Sequence, residues 1–440
     1  MEGKSIRKCM VWLVAGLLGM TPGALAAQES APPAQVTAQV AAAPPAPAPA
    51  NLDELVREAL AANPGVQAAL ARVEALRRRV PQARALPDPE LSVGWMGNLK
   101  PFGVQRDDPS SYRGVEVTQG IPFPGKRKLR GQIADREAEA AWWEYEEARR
   151  RVAAEVKAAY YDYFYYERAL GITLKNKDLL EKLARIAEVR YQVGKGIQQD
   201  VLKAQTELSR LAQRLTILEQ QQSTARARLN ALLNRAPETP LGPAAPFEPA
   251  PLVHSLDALY QLARENDTGL QREQRLIERS RLAVNLARKE YYPDFGVGYA
   301  YQNRPLLPEM HGFTFRLNLP VFYRSKQREG VNEATQGLVA AERSREGREA
   351  VLYFEVKEQY LAAKAADELA RLYSAAIVPQ SSLALESAMA AYEVGAVDFL
   401  TLIESFSTVL DYEVDYYREL ANYQIALARL EPLVGVELTK

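Results

Sequence analysis

The chain has 440 residues, room for two or three ordinary domains. Its 55 basic and 55 acidic side chains cancel, which excludes the one-sided charge that a nucleic-acid partner demands. One cysteine and two histidines exclude a disulfide framework and the common zinc or copper sites, which gather several such ligands; no metal site and no cofactor is expected.

Residues 1–26 carry the pattern of a cleaved secretory leader. Lys4, Arg7 and Lys8 give a positive start, Met10 to Met20 an apolar stretch too short to span a bilayer, and Ala24-Leu25-Ala26 a small-residue cleavage site. Cys9 precedes the apolar stretch, so cleavage leaves no cysteine to acylate and lipidation is not expected. Residues 27–50 are a Pro/Ala-rich linker.

Residues 51–235 form a first unit. It opens with a helical stretch from Leu52 to about Leu86, interrupted at Pro64 and Pro81. A β-hairpin over 89–121 follows: Leu91, Val93 and Trp95 alternate with Glu90, Ser92 and Gly94, then Val115 and Val117 with Gly114, Glu116 and Thr118. Such alternation marks strands with one apolar and one polar or small face, as in a membrane barrel with lipid outside and water inside; soluble hairpins on a protein core are the alternative. The hairpin ends in Gly-Ile-Pro-Phe-Pro-Gly-Lys-Arg (120–127), one residue short of a phosphate-binding loop. Pro122 and Pro124 delete two of the N–H groups such a loop aims at its anion, and Arg127 replaces the hydroxyl that would hold magnesium.

A helical hairpin over 125–233 completes the unit. No proline occurs from Gly125 to Ala236, and the only break is Gly194-Lys195-Gly196. Lys126 to Gln192 as one helix would be ~100 Å long, too long for a compact globule. In the returning helix Val201, Leu208, Leu215, Gln222 and Leu229 recur every seven residues, as do Ala204, Leu211, Leu218, Ala225 and Leu232. That is a coiled-coil seam between antiparallel helices.

After a linker at 236–255 the unit returns over 256–433, with a β-hairpin at 294–320, a long helical hairpin at 324–432 and a tail at 434–440. Leu52-Asp53-Glu54-Leu55 reappears as Leu256-Asp257-Ala258-Leu259, and Tyr191-Gln192-Val193-Gly194 as Tyr392-Glu393-Val394-Gly395. The junction returns as Leu319-Pro320-Val321-Phe322-Tyr323-Arg324, without the glycines and the lysine. A phosphate loop would be useless in that second copy, whereas a strand-to-helix junction built on Pro122, Pro124, Gly125, Lys126 and Pro320 works in both. Lys126, Arg127, Lys128 and Arg130 would then lie at the membrane rim near lipid headgroups. Four strands cannot close a barrel, for which about eight are needed, and lipid tolerates no open edge. If these strands span a membrane, several chains must therefore share one barrel.

The leader, the duplicated helix–hairpin–long-helix unit, the two Tyr-x-Val-Gly turns and the junction Ile121 to Arg130 together resemble the TolC family of bacterial outer-membrane efflux proteins, from about Leu52 to Gly435. The resemblance implies a mainly α homotrimer, four strands per chain completing a twelve-stranded barrel above a long antiparallel coiled-coil tunnel. It places parts of 40–55, 235–256 and the tail in an equatorial girdle. It implies no enzyme but a passive duct of the outer membrane, loaded by a periplasmic adaptor and an inner-membrane pump, here assigned to the resistance-nodulation-division (RND) type, and carrying small molecules or metal ions. A type I protein secretion duct and, in another class, a periplasmic coiled-coil adaptor or scaffold are the alternatives. The closed end falls at the helix turns. Pore acids of the family match Thr401 and Glu404, with Asp200 in the corresponding place of the first repeat; solvated helix-face charge is the alternative for each. Tyr191 and Tyr392 are either latches or seam residues. Val193, Gly194, Lys195, Gly196, Ile197, Val394, Gly395, Ala396 and Val397 form the tips, with Lys195, Ile197, Ala396 and Val397 as adaptor contacts.

Overall fold

The computed structural model describes residues 49–99, 102–104, 108–247, 249 and 251–439. The leader and nearly all of the Pro/Ala linker lie outside the described residues.

Each unit begins with a short helix and a longer one: α1 (Leu52–Ala62) and α2 (Pro64–Arg84) in the first, α5 (Leu256–Asn266) and α6 (Thr268–Lys289) in the second. Small polar residues start these helices. The side-chain oxygens of Asn51, Asn63, Ser255 and Asp267 accept from N–H groups of the first turn, where the helix has no acceptor of its own. Pro81 does not interrupt α2 as expected; it lies inside the helix, which ends three residues later at Arg84. A proline in the final turns removes one bond and breaks little, because few bonds remain downstream.

The first hairpin pairs β1 (Glu90–Met96) with β4 (Tyr112–Ile121), and its connection carries a small ribbon of β2 (Asn98–Leu99) and β3 (Phe102–Gly103). The second pairs β5 (Asp294–Asn303) with β6 (Met310–Asn318). Pairing of β4 with β5 joins them into one antiparallel sheet of order β1-β4-β5-β6. The outer edges of β1 and β6 have no partner strand among the described residues.

Helix α3 (Lys126–Gln192) runs unbroken for 67 residues, ~100 Å at helical rise. α4 (Gln198–Leu232) returns along it. In the second unit α7 (Gln327–Leu372) passes through one π turn, Tyr373–Ile377, into α8 (Val378–Glu393), and α9 (Phe399–Val434) returns. The π turn precedes Pro379, whose missing N–H and ring forbid the regular bond there.

These helices make a single layer of columns. α3 packs between α2 and α4 on one side and α6 and α9 on the other, and α7 with α8 lies beyond α6 and α9. α4 and α2 stack end to end: Asn63 caps α2 with its oxygen while its Nδ2 donates to the Leu232 carbonyl, 3.1 Å, at the end of α4. In the second unit Gly435 ends α9 at φ 72° and lies against Asn266 beside the α6 cap. The heptad face is the buried face: Ala204, Leu211, Leu215, Leu218, Ala225 and Leu229 are all buried.

A girdle wraps the middle of the layer. Tyr160 of α3 donates to the Ala50 carbonyl (3.2 Å) and accepts from the Ala245 N–H (2.9 Å), while Glu167 accepts from the Ala244 N–H (2.8 Å). Ala50 and Ala244 form a parallel bridge. The C-terminal tail is held by buried Lys157, which bonds Glu431 at 2.7 Å, Thr439 at 2.8 Å and Glu437 at 3.2 Å.

Candidate functional site

The sheet sorts its side chains by face. Register places Leu91 and Val93 beside Val117 and Val115, these beside Tyr299 and Tyr301, and Tyr299 and Val297 beside Phe313 and Phe315. One face is thus apolar and aromatic across all four strands, and it is bare: Val93 is 77% exposed and Phe313 83%. The opposite face carries Ser92, Gly94, Glu116, Thr118, Gly296, Gly298, Thr314 and Arg316. There Arg316 pairs with Glu116 at 3.1 Å. A Cβ on Gly298 would sit 2.4 Å from the Thr314 hydroxyl, so only glycine fits beside that side chain. The 10 residues of β5, tilted by about 45°, rise ~24 Å, the height of an outer-membrane apolar band.

At the junction Gly125 precedes α3 at φ 95°, a left-handed turn that glycine adopts without strain. Lys126 is 1% exposed. Its ammonium lies 2.9 Å from Glu290, 2.9 Å from Asp294 and 3.1 Å from the Tyr292 carbonyl, which leaves no free donor for a phosphate. Asp294 also accepts from the Phe123 N–H at 2.7 Å, and Phe123 stacks on Tyr292 at 4.6 Å. Pro122 is buried, Pro124 exposed and Pro320 half-buried. The junction thereby locks the end of β4, the start of α3, the end of α6 and the start of β5 into one unit.

At the far end both turns use the same bonds. Lys195 N–H donates to the Arg190 carbonyl and Ala396 N–H to the Ala391 carbonyl, each 2.8 Å, with Gly194 at φ 71° and Gly395 at φ 77°. These are glycine-terminated helix ends. Around them the two tyrosines part ways. Tyr392 is buried, 5.4 Å from the Phe399 ring; Tyr191 is 46% exposed. The guanidinium of Arg190 lies 4.7 Å from the Tyr392 ring centre and donates to the carbonyls of Tyr392 and, at 3.2 Å, Glu393. The last turn of α3 is thereby tied to the last turn of α8. Val193, Ile197 and Val394 are exposed at the tips, as are Lys195 and Ala396, with Gly196 and Val397 half-buried.

Asp200 lies in the same group. Burial raises its carboxyl above the ordinary value, with Asp398 adding repulsion and Arg190 opposing. Thr401 is occupied with helix α9: its N–H and hydroxyl both go to Asp398, at 3.0 and 2.5 Å, which holds the Asp398 carboxyl below its usual range. Glu404 is exposed one turn on. It shares an exposed stripe of α9 with Thr401, Thr408, Asp411 and Asp415, while Leu402, Ile403, Phe406, Val409 and Leu410 are buried. Asp411 is met by Arg214 of α4 at 2.6 Å.

Sequence reasoning passed over Arg190, Asp398, Asp411 and Asp415. Asp398 was visible as an acid three residues before Thr401, the helix-start spacing. Arg190 has only its asymmetry to announce it, since Ala391 stands at the matching place in the second repeat.

The family model described as outer membrane efflux protein matches residues 55–235 and again 259–436. The chain belongs to the outer membrane efflux protein family. The double match coincides with the internal duplication. Among relatives of this family, the cobalt-zinc-cadmium resistance protein CzcC of Cupriavidus metallidurans is 22% identical over 399 residues, 88% of this chain and 90% of CzcC. The fold is that of the solved outer membrane protein VceC of Vibrio cholerae (TM-score 0.76, 17% identity, 88% of this chain and 96% of VceC). It is also that of the outer membrane channel MtrE of Neisseria gonorrhoeae in its open state (TM-score 0.72, 17% identity, 88% and 89%).

Proposed function

We propose that three copies of this chain close into the outer-membrane channel of a tripartite efflux system, which passively conducts small molecules or metal ions. One observation carries the reading: among the described residues, a sheet with a continuous bare apolar face and two unpaired edges stands on a helix layer that also has two open edges, α2 with α4 and α7 with α8. An open edge is forbidden in lipid, so β6 of one copy must meet β1 of the next, and the helix columns follow. The barrel then spans the outer membrane and the helices hang into the periplasm. The same closure favours the channel over a soluble periplasmic scaffold, which has no use for a lipid-facing band.

In this assembly the turns form the narrow end. Arg190 ties α3 to α8 there, and Asp200 with Glu404 and Asp415 of the α9 stripe present carboxylates that threefold symmetry multiplies into rings, which favour cations, whereas Asp411 is neutralised by Arg214. The exposed tips Val193, Lys195, Ile197, Val394 and Ala396 are offered to the adaptor, which joins the channel to an inner-membrane pump of the RND type. The likeness to CzcC over most of both chains supports metal cations as cargo, passed as hydrated ions rather than captured. The test is fractionation of cells producing the full chain. The reading expects the mature protein in the outer membrane as a trimer that dissociates only on heating; a water-soluble monomer overturns it.

A further inference from the structure

One surface feature at the membrane junction carries positive charge that no ion pair among the described residues neutralises. A groove of about 530 Å³ runs between the start of α3 and the end of α6, lined by Lys128, Leu129, Asn285, Arg288, Lys289 and Tyr292 among others. Three of its side chains are cations and none is an acid. Among the described residues none of the three forms an ion pair; Lys289 lies only over the Phe123 and Tyr292 rings, at 5.5 and 5.6 Å. Glu290 and Asp294, close to Lys289 in the chain, are already taken by Lys126, and Glu290 also lies 3.6 Å from Arg130.

The position of this groove says what would fill it. Tyr292 on its wall stacks on Phe123, and Phe123 lies 6.3 Å from Phe295. Phe295 in turn lies 6.1 Å from Phe315 on the bare apolar face of the sheet. The cations therefore sit on the lipid-facing side, directly beyond the end of the apolar band, with an aromatic pair between. That order of greasy face, aromatic ring and basic groove matches acyl chain, glycerol level and phosphate.

We propose that this groove binds the headgroup phosphate of an anionic phospholipid in the periplasm-facing leaflet, one site per chain. Lys128 and Arg288 reach the phosphate from the two helices, Lys289 lies behind it, and the acyl chains run up the Phe123, Phe295 and Phe315 surface. The inference rests on the outer-membrane reading above. Each basic residue near an anionic lipid surface is worth about fivefold in affinity.

The test is native mass spectrometry of the detergent-solubilised assembly titrated with phosphatidylglycerol or with phosphatidylcholine of the same chains. Wild type is expected to retain phosphatidylglycerol preferentially. Lys128→Gln with Arg288→Gln, two exposed and unpaired side chains, is expected to weaken that retention about 25-fold and leave phosphatidylcholine unchanged. Lys128→Arg alone should keep it. Equal retention of both lipids by wild type, or no change in the double variant, overturns the proposal. So does full displacement of the lipid by millimolar inorganic phosphate, which would mark a free-anion site. Channel conductance of the double variant in planar bilayers separates this failure from that of the channel reading: it should match wild type, whereas a protein that is no channel conducts in neither form.

Discussion

Arg190→Ala is the sharpest perturbation of the tunnel tip. The side chain makes two hydrogen bonds to the last carbonyls of α8 and lies 4.7 Å from the Tyr392 ring centre. Bonds from a charged donor are worth ~1.5–3 kcal/mol each when dry, but this site is partly open to water, so the two together are assigned about 2 kcal/mol. The ring contact adds about 0.5 kcal/mol at such exposure. Removing ~2.5 kcal/mol shifts the equilibrium between tied and parted helices roughly 70-fold per chain. Three chains multiply the effect if they open together. Single-channel recording in planar bilayers reads it directly: the variant should open far more often, or to a larger conductance, at unchanged barrel selectivity. Arg190→Lys should recover the charge but only part of the closure, because an ammonium cannot cover the ring and reach two carbonyls with a planar fork. If Arg190→Ala conducts like wild type while its thermal midpoint falls, Arg190 is a brace and not a latch, and the gating argument fails.

Other outcomes follow from the same geometry. Lys126→Met leaves Glu290 and Asp294 without their shared cation, which should cost about 3 kcal/mol and visibly lower the melting temperature of the assembly. Arg127→Ala loses only the bond from its Nε to the Arg84 carbonyl and should cost about 1 kcal/mol. Asp200 sets a pH dependence. Burial raises its carboxyl above the ordinary 3.8 with the helix ends tied as they are here, and a parted, solvated tip returns it to that value. The tied form thus binds the proton more tightly, so, if parting opens the channel, conductance should fall as pH drops through the window above 3.8. Asp398, held below its usual range, stays ionised in that window and its cap is lost only at lower pH. Asp200→Asn should abolish the dependence in bilayer recordings. Gly194→Ala and Gly395→Ala place a side chain at positive φ and should each cost about 1–2 kcal/mol in thermal unfolding. Gly171→Ala, mid-helix with nothing near its Cβ, should stabilise by about 0.5–1 kcal/mol. Glu404→Gln with Asp415→Asn, two exposed acids of the α9 stripe, should reduce cation over anion permeability, measured as a shift in reversal potential.

What was legible in the sequence is whatever repeats along the chain with a period. The heptads of α4 announced a buried seam, and Leu211, Leu218 and Leu229 are buried. Alternation in Phe295 to Tyr301 announced a two-faced strand, and register joins that face across the sheet. The absence of proline from Gly125 to Ala236 announced the long helix. What stayed hidden depends on contacts between distant residues. Lys126 reads as one basic residue among several, yet it alone turns inward, because Glu290 and Asp294 lie more than 160 positions away. Tyr191 and Tyr392 are identical in motif and differ in fate, since only the second has an arginine from the other repeat lying over it. Pro81 was read by a local rule that weakens near a helix end.

The channel reading rests on three chains sharing one closed barrel. The most direct measurement is single-channel conductance of the assembly purified from outer membranes, with its mass determined in the same detergent. The account predicts a mass of three chains, and discrete conductance steps from that species that grow in proportion to salt. A monomeric mass, or a trimer that leaves the bilayer silent even with Arg190→Ala, would contradict it.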